Sequence, residues 1–245
     1  MSTTSRQRSR AERAAAALRE QQRRERRRRG LTIGAVVAAL VLVVGIGFLV
    51  QAGRDTTGAS ATPPAGATDD YSLAIGDPDA PSHVVVYEDF LCPFCAALEA
   101  ETRDDLAQLA ADGQVYVEYR PFDLLSRYGD YSARATNAFA AVLDVAGPQV
   151  AKDFHDLLFD RQPGESGPFP SDDDLVDLAV EAGADESQVR APIEDQAFDQ
   201  WVRNATDAAS RAGVNGTPTV LVDGEPFTDG STVEELADNL VAAVG

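Results

Sequence analysis

Hydrophobic and polar residues follow two different periods along the chain, and the pattern predicts a mixed α/β domain. A β-branched run predicts a buried strand at His83–Tyr87, and alternation predicts a second strand at Gln114–Arg120. Between them, helical spacing predicts a helix that stops at Gly113. Its buried positions are Leu98, Thr102, Leu106 and Leu109. A strand, a helix and a second strand of this length form a right-handed βαβ unit with parallel strands. A short edge strand is predicted just before it, at Tyr71–Ile75.

The region 130–212 contains no convincing strand and has helical patterning throughout. Gly147-Pro148 and the loop Pro163–Pro170 interrupt the pattern. The predicted helices are Tyr131–Ala146, Gln149–Arg161, Ser171–Ala182, Glu186–Gln196 and Phe198–Ala212. The sequence therefore predicts a helical block of about eighty residues.

The strand pattern resumes near the end of the chain, at Thr219–Val222. Asp223-Gly224 predicts a two-residue hairpin turn, with a returning strand at Glu225–Thr228. A last helix is predicted to begin at Ser231 as N-cap, with a glutamate three residues on completing a capping box. The predicted order is βαβ, a helical block, then ββα.

The only two cysteines, Cys92 and Cys95, lie where the first long strand turns into the helix. Pro93 takes the first helical position, where its missing N–H costs nothing. Cys92 is then the N-cap, and its sulfur faces unpaired backbone donors and the positive end of the helix dipole. A thiolate is stabilised there, and a cysteine with a lowered pKa is both a nucleophile and a good leaving group. Cys95, one turn further, is shielded and close enough to form a disulfide.

Three other interpretations of this cysteine pair are weaker. A structural disulfide closing a four-residue ring stabilises by only about 2 kcal/mol in the chain-entropy model, against about 4.7 kcal/mol for a hundred-residue loop. A zinc site normally needs four ligands, and the remaining candidates are His83 and His155 at no known spacing. The third interpretation is two unrelated buried thiols. We expect no metal and no cofactor, because the sulfur pair itself carries the chemistry.

Charge divides the chain sharply. Residues 1–30 contain eleven Arg and three Glu, a net charge of +8, whereas the remainder has 10 basic and 37 acidic residues, a net charge of −27. The acidic body is a poor candidate for binding nucleic acid, because phosphate binding needs clustered cations.

Residues 31–50 carry no charge and are almost wholly aliphatic or Gly, which predicts one transmembrane helix. The arginine-rich flank 23–29 predicts a cytoplasmic N-terminus and an extracytoplasmic body. A cleaved signal peptide is the alternative, although this segment exceeds the usual apolar core of such a peptide. Either interpretation places the body in a compartment where disulfides persist.

The predicted organisation has four parts. Residues 1–30 form a basic cytoplasmic tail, and residues 31–50 form the membrane anchor. Residues 51–70, rich in Gly, Ala, Thr and Pro, form a flexible linker. Residues 71–245 form the folded domain, with the helical insertion at about 130–212.

This order, with C-x-x-C at the first strand-to-helix junction and Gly216-Thr217-Pro218-Thr219 entering the third main strand, resembles the thioredoxin superfamily. The helical block, Ala80-Pro81 before the strand and the segment Asp89–Cys95 resemble specifically the DsbA-like branch. Its members are bacterial enzymes that handle disulfides outside the cytoplasm, often tethered by one helix. The resemblance covers about residues 71–245 and implies a thioredoxin fold with a helical insertion, here preceded by one transmembrane helix.

The resemblance also implies roles for particular residues. Cys92 would be the exposed nucleophile and Cys95 the buried resolving thiol. Pro218 would be a cis-proline whose loop packs against the cysteines, and Thr217 would offer its backbone to an extended substrate segment. The implied substrates are unfolded or reduced exported proteins, and a membrane thiol oxidase would reoxidise the pair.

Two departures from the family pattern stand out. Many thioredoxins carry a buried acid six residues before the first cysteine, where this chain has Val86. We expect the nearby Glu88 and Asp89 to be solvated at the exposed end of the strand. The active-site loop between the cysteines is Pro93-Phe94, where strongly oxidising members usually have Pro-His, so we expect a less extreme reduction potential.

The predicted function is disulfide formation in exported proteins. Reduction or isomerisation of disulfides by the same chemistry stays open, as does a non-catalytic thioredoxin-fold binding module. We expect His155, outside any motif, to be an ordinary surface or packing residue.

Overall fold

A five-stranded mixed sheet organises the part of the chain that the computed structural model describes, residues 59–69 and 71–245. Its strands are β1 (Leu73–Ile75), β2 (Ser82–Glu88), β3 (Val115–Pro121), β4 (Thr219–Val222) and β5 (Glu225–Pro226), in the order β1-β3-β2-β4-β5. The central strands β2 and β3 are parallel, and every other pair is antiparallel. The parallel pairing confirms the predicted βαβ unit.

Six α-helices and one 3₁₀ turn complete the described part of the chain. The helices are α1 (Pro93–Ala111), α2 (Tyr131–Asp160), α3 (Asp172–Glu181), α4 (Glu186–Glu194), α5 (Asp199–Arg211) and α6 (Val233–Val244), and the 3₁₀ turn is Ser126–Tyr128. Helix α2 joins two predicted helices across a kink at Gly147, where φ is +82° and favours glycine. Residues 130–212 contain no strand, which confirms the helical insertion.

The central strand is buried on both faces, as expected for a strand with parallel pairing. Successive side chains point to opposite faces, so Val84 and Val86 pack with α1 and α6, whereas Val85 and Tyr87 pack with α5. A separate apolar cluster fills the helical insertion and includes Trp201. This double burial explains why the strand reads as a continuous apolar run.

The C-terminal elements follow the sequence prediction with two small shifts. Asp223 and Gly224 both have positive φ, which is the backbone of the expected hairpin turn. Strand β5 is shorter than expected and ends at Pro226, which has no N–H to donate to a longer ladder. Helix α6 is capped by Thr232 rather than Ser231, because the Thr232 hydroxyl accepts from the backbone N–H of Glu235 at 3.2 Å.

The folded domain begins earlier than Tyr71. The backbone N–H of Ala65 donates to Asp144 on α2 at 2.8 Å, and Asn204 on α5 donates to the carbonyl of Ala59 at 2.8 Å. Residues 59–69, assigned by the sequence analysis to the linker, therefore lie on the helical insertion. Small side chains allow this close approach, and polar groups of the helices satisfy the backbone of the segment.

Three predicted segments fall wholly or largely outside the described residues: the basic tail 1–30, the anchor 31–50 and the first part of the linker 51–70. Within residues 59–69 and 71–245, no helix has both the length and the apolar composition that crossing a membrane requires.

Candidate active site

Helix α1 begins at the first cysteine. Cys92 is the N-cap in extended conformation, with φ −79° and ψ 115°, and Pro93 occupies the first turn. The Cys92 carbonyl accepts from the backbone N–H of Cys95 at 3.1 Å and of Ala96 at 3.2 Å. The cysteine pair therefore lies at the strand-to-helix junction that the sequence predicted, and both cysteines are free thiols.

A loop from the far end of the chain lies against the first cysteine. The Cys92 thiol donates to the carbonyl of Thr217 at 3.3 Å, and the Thr217–Pro218 peptide is cis. Sheet pairing explains the encounter, since Thr219 at the start of β4 pairs with Tyr87 near the end of β2. The structure thus brings together the four residues that the resemblance singled out.

Exposure of the cysteines differs from the expectation in one respect. Cys95 is buried at 1% exposure, as expected, but Cys92 is also largely covered, at 4%. The predicted exposed nucleophile is therefore wrong for this conformation, because the Thr217–Pro218 loop lies directly against the sulfur. Phe94 in the active-site loop is the exposed neighbour, at 63%.

The two thiols have opposite tendencies to ionise. A hydrogen bond from the Cys95 thiol lowers the pKa of Cys92 to about 6; burial opposes this, and the Thr217 side chain and the first backbone N–H groups of α1 assist it. Burial raises the pKa of Cys95 well above its usual value, and the neighbouring Cys92 adds to the effect. At neutral pH the pair therefore holds one thiolate and one thiol.

The turn before the cysteines is built around Asp89, which is fully buried. Its carboxylate accepts four hydrogen bonds, from the backbone N–H groups of Leu91 (2.8 Å), Leu124 (2.8 Å) and Leu125 (2.9 Å) and from the Ser132 hydroxyl (2.7 Å). The prediction that Asp89 is solvated is wrong. Loop 122–125 and the start of α2 cover the end of β2, and strand periodicity carries no signal for such tertiary cover.

A glutamine after α2 supports the same turn. The Gln162 side-chain amide donates to the carbonyls of Phe90 and Cys92 at 3.0 Å each. The helical insertion thus holds the backbone on which the nucleophile is mounted. No sequence signal points to Gln162, because a single glutamine before a proline-rich loop has no distinguishing pattern.

A groove of about 400 Å³ opens beside the Thr217–Pro218 loop. Its apolar lining comes from the active-site loop, the cis-proline, the β4–β5 hairpin and α6: Phe94, Pro218, Val220, Pro226, Phe227, Val233 and Leu236. Trp201 and Phe154 do not line it but lie buried in the apolar cluster of the helical insertion.

A second buried polar group lies behind the cysteines. Glu88, Glu99 and His155 are at most 1% exposed, and Glu88 Oε1 lies 2.6 Å from His155 Nε2. The prediction of a solvated Glu88 is therefore wrong. For His155 the predicted packing role is confirmed, because its ring is buried against Phe90, Tyr119 and Phe159, whereas its pairing with carboxylates was not predicted. In the described part of the chain, these three residues are the group whose potential metal-ligating atoms come within 4.8 Å of one another. Both ring nitrogens of His155 already face carboxylates, Glu88 at 2.6 Å and Asp156 at 3.0 Å, which leaves no free ring nitrogen for a cation.

Known proteins share this fold and up to 30% of the aligned sequence. A sequence profile of the thioredoxin family matches residues 68–241. The structure resembles the reduced disulfide bond oxidoreductase DsbG of Mycobacterium tuberculosis (TM-score 0.61, 30% identity, 71% of this chain and 85% of that one). It also resembles oxidised DsbA of the same organism (TM-score 0.57, 28% identity, 71% of this chain and 100% of that one).

Among curated relatives, the chain is 30% identical over 169 residues to Na(+)/H(+) antiporter NhaA 1 of Salinispora arenicola. That match covers 69% of this chain and 24% of the antiporter. The first relatives matched are much longer proteins, since the chain spans only 24% to 29% of their length. With the profile match extending over most of the described residues, this chain belongs to the thioredoxin family, on its DsbA-like branch.

Proposed function

We propose that the protein is an extracytoplasmic thiol–disulfide oxidoreductase that forms disulfides in exported proteins through Cys92 and Cys95. The observation that carries this proposal is the placement of Cys92 at the N-cap of α1, against the cis Thr217–Pro218 peptide, with the buried Cys95 one helical turn further on. This placement lowers the pKa of Cys92 to about 6 and raises the pKa of Cys95. A structural disulfide or an inert thiol pair needs no such asymmetry.

In the oxidising direction, a substrate thiolate attacks Cys92 Sγ of the Cys92–Cys95 disulfide. A bond forms between the substrate sulfur and Cys92 while the Cys92–Cys95 bond breaks, and Cys95 leaves with the electron pair. A second substrate thiolate then attacks the substrate sulfur, which releases Cys92 as a thiolate. The low pKa of Cys92 makes it a good leaving group in this second step.

The groove beside Pro218 fits an extended, reduced polypeptide. Its apolar lining can take a hydrophobic side chain, and the backbone of Thr217 offers strand-type hydrogen bonds that do not depend on substrate sequence. Because the Thr217 carbonyl lies 3.3 Å from Cys92 Sγ in the reduced protein, a substrate strand that pairs with the Thr217 backbone lies directly beside the reactive sulfur.

The proposal includes a location and a redox partner. Residues 31–50 would anchor the protein with its N-terminus in the cytoplasm, and a membrane thiol oxidase would reoxidise the pair. Mass analysis of the protein purified from membranes tests the anchor, because a cleaved signal would remove residues 1–50.

Trapping of substrates tests the activity. In Cys95→Ser, Cys92 keeps its helix position but has no partner thiol, so mixed disulfides with exported proteins should accumulate and disappear on reduction. Cys92→Ser is the matched control and should trap none. Equal amounts of adduct in the two variants, or none in either, would refute the proposed function and favour a binding module.

The equilibrium potential of the pair against glutathione tests the direction of exchange. A value near about −120 mV indicates an oxidant and one near about −270 mV a reductant. A strongly reducing value would contradict the oxidising role and leave the exchange chemistry in place.

A further inference from the structure

A second groove, of about 550 Å³, lies on the helical insertion between α3 and the loop that joins α2 to α3. The loop supplies an apolar wall, made of Pro163, Pro168, Phe169 and Pro170. This insertion groove shares no lining residue with the groove beside Pro218. The exchange steps described above do not use it.

The apolar wall is held in place by contacts within the insertion. The Phe169 ring stacks on Tyr131 of α2, with the ring centroids 6.0 Å apart and the planes inclined by 16°. Arg134 on α2 donates to the carbonyl of Pro170 at 2.7 Å and to Asp172 at the start of α3 at 2.9 Å. The loop is therefore tied to both helices, and a groove that is already formed lowers the cost of binding a ligand.

The opposite wall is one face of α3, and it is acidic. Asp174, Asp177 and Glu181 line the groove at helical spacing, so their side chains lie on the same face. Arg161 is the cation of the lining, and it is already paired with Glu181 at 3.1 Å. Neither Asp174 nor Asp177 forms an ion pair with a residue that the structure describes. Two carboxylates of the groove therefore lack a cation.

The two walls together determine the chemistry of the ligand. Acids alone would indicate little, because residues 31–245 carry a net charge of −27. Carboxylates opposite an apolar wall are more specific. They fit a side chain such as Lys or Arg, whose apolar stem lies along apolar surface while its charged end meets the acids. In a polypeptide, the matching ligand is a basic residue next to an aliphatic or aromatic one.

The insertion groove borders the active-site turn. Two of its lining residues directly precede and follow Gln162 in the chain, and the Gln162 amide donates to the Cys92 carbonyl at 3.0 Å. On the other side, Cys92 Sγ lies 3.3 Å from the carbonyl of Thr217, which lines the groove beside Pro218. Cys92 therefore lies between the two grooves and contacts the border of each.

We propose that the insertion groove is a second contact site for the polypeptide that exchanges disulfides at Cys92, and that it selects chains with a basic residue next to an apolar one. The inference rests on the proposed function and names a substrate class for it. An extended chain pairs with the Thr217 backbone on one side of the sulfur and places its basic and apolar residues in the insertion groove on the other. Because one chain makes both contacts, the second contact adds to the affinity of the first.

Rates of peptide oxidation test this selection. Oxidised full-length protein is mixed with reduced peptides that contain two cysteines, and acid quenching with mass analysis follows transfer of the disulfide from the protein to the peptide. The peptides differ in one apolar–X pair, in which X is Arg, Gln or Glu, placed at successive distances before or after the cysteines. For placements on one side only, the Arg peptide should react about tenfold faster than the Glu peptide at low salt. At about 1 M salt, where the screening length is about 3 Å, this advantage should largely disappear.

A reversal of charge in the groove should remove the selection. Asp177→Arg should lower the rate of the Arg peptide about tenfold and leave that of the Gln peptide unchanged. The matched control is Asp105→Arg, which makes the same change of charge at an exposed position of α1, about 20 Å along the helix from Cys92 at about 1.5 Å per residue. Its rates should match those of the wild type. Replacement of the apolar residue of the pair by Ser should also remove the advantage of the Arg peptide.

Binding without chemistry separates this inference from the proposed function. Fluorescence anisotropy with peptides whose cysteines are replaced by serine measures the Kd, which Asp177→Arg should raise for the Arg peptide and Asp105→Arg should not. Failure of the wild-type protein to oxidise any of the peptides would refute the proposed function. An Arg advantage that is absent, equal at every placement or unchanged in Asp177→Arg would overturn the role of the insertion groove and leave the function standing.

Discussion

Glu88 and Asp89 are neighbours at the end of β2, and each side chain lies in a different buried polar region. The two regions differ in the charge of the groups that surround the carboxylate. Asp89 meets neutral donors, and each of its oxygens accepts two hydrogen bonds. Glu88 meets charged groups, and only one of its oxygens has a partner, His155 at 2.6 Å. Both carboxylate oxygens of Asp89 have all the hydrogen-bond donors that they need. In the region around Glu88, by contrast, two buried carboxylate oxygens, Glu88 Oε2 and Glu99 Oε2, have no hydrogen-bond donor.

The difference separates a structural role from a chemical one. Backbone N–H groups do not give up their protons, so the donors around Asp89 fix one geometry of the active-site turn. An imidazole between carboxylates can hold and pass a proton, because each ring nitrogen of His155 faces a carboxylate oxygen. The two regions should therefore respond differently to substitution and to pH.

The largest effect is expected at Asp89. Asp89→Ala leaves three backbone N–H groups and one hydroxyl without their buried acceptor, which should lower the free energy of unfolding by about 4 kcal/mol or more. Chemical denaturation measures this loss. The control Glu101→Ala removes an exposed acid from α1 and should stay within about 0.5 kcal/mol of the wild type. A cost below about 1 kcal/mol at Asp89 would show that its four contacts do not hold the turn.

The pH dependence of stability should differ between the oxidised and reduced proteins. Folding raises the pKa of Glu99 from 4.5 to about 7 and of His155 from 6.5 to about 9, so both favour the folded state at low pH and lose that effect as pH rises. For His155, burial opposes the rise, and the charges and hydrogen bonds of Glu88 and Asp156 outweigh it. Cys92 acts in the opposite direction, because its pKa falls from 9.0 to about 6, and it titrates only when reduced.

The oxidised protein should therefore lose stability progressively between about pH 5 and pH 9, as first Glu99 and then His155 loses its proton in the folded state. In the reduced protein, the Cys92 thiolate should offset much of this loss above pH 6. Denaturant titrations of both forms across this range measure the difference. If the stability of the reduced form relative to the oxidised form did not increase between pH 6 and pH 9, Cys92 would not be an acidic thiol.

A smaller effect is expected at Gln162. Gln162→Ala removes two 3.0 Å hydrogen bonds to the carbonyls of Phe90 and Cys92 and should lower the free energy of unfolding by about 1–2 kcal/mol. The same truncation at the exposed Gln114 is the control and should cost almost nothing. Equal effects of the two truncations would mean that the insertion does not support the active-site turn.

The smallest effect on stability is expected at Glu99. Glu99→Gln replaces a carboxyl that is largely protonated below pH 7 by an amide of the same shape, and Oε2 has no hydrogen bond to lose. The free energy of unfolding at about pH 6 should change by less than about 1 kcal/mol. A cost as large as that of Asp89→Ala would place an ionised carboxylate at Glu99, and the contrast between the two regions would disappear.

Much of the fold can be predicted from local sequence signals. The apolar run of β2, the helical spacing of α1 and the turn residues Asp223-Gly224 are local signals, and each produced the element predicted from it. The position of Cys92 at a helix N-cap follows from the same signals, since proline is favoured at the first helical position, where Pro93 lies. Secondary-structure propensity and hydrophobic periodicity are properties of a few neighbouring residues. They can therefore be recognised without knowing which distant segment packs against them.

The errors concern burial at the ends of elements. Glu88 and Asp89 look like solvated acids on a strand end, and His155 lies in a helix without any motif. Glu88 and His155 are 67 residues apart in sequence, and only the packing of α2 behind β2 turns them into an ion pair. The cover over Cys92 arises in the same way, from a carbonyl 125 residues away.

The sequence by itself determined the order of the elements and the helix-capping cysteine, because these depend on the chemistry of neighbouring residues, whereas the cis-proline was implied by the family resemblance. The tertiary structure alone decided which acids are buried, which of them share charges with His155 and how little of Cys92 reaches solvent. Burial and electrostatic pairing are properties of the surroundings of a group, and distant segments create those surroundings only when the chain has folded.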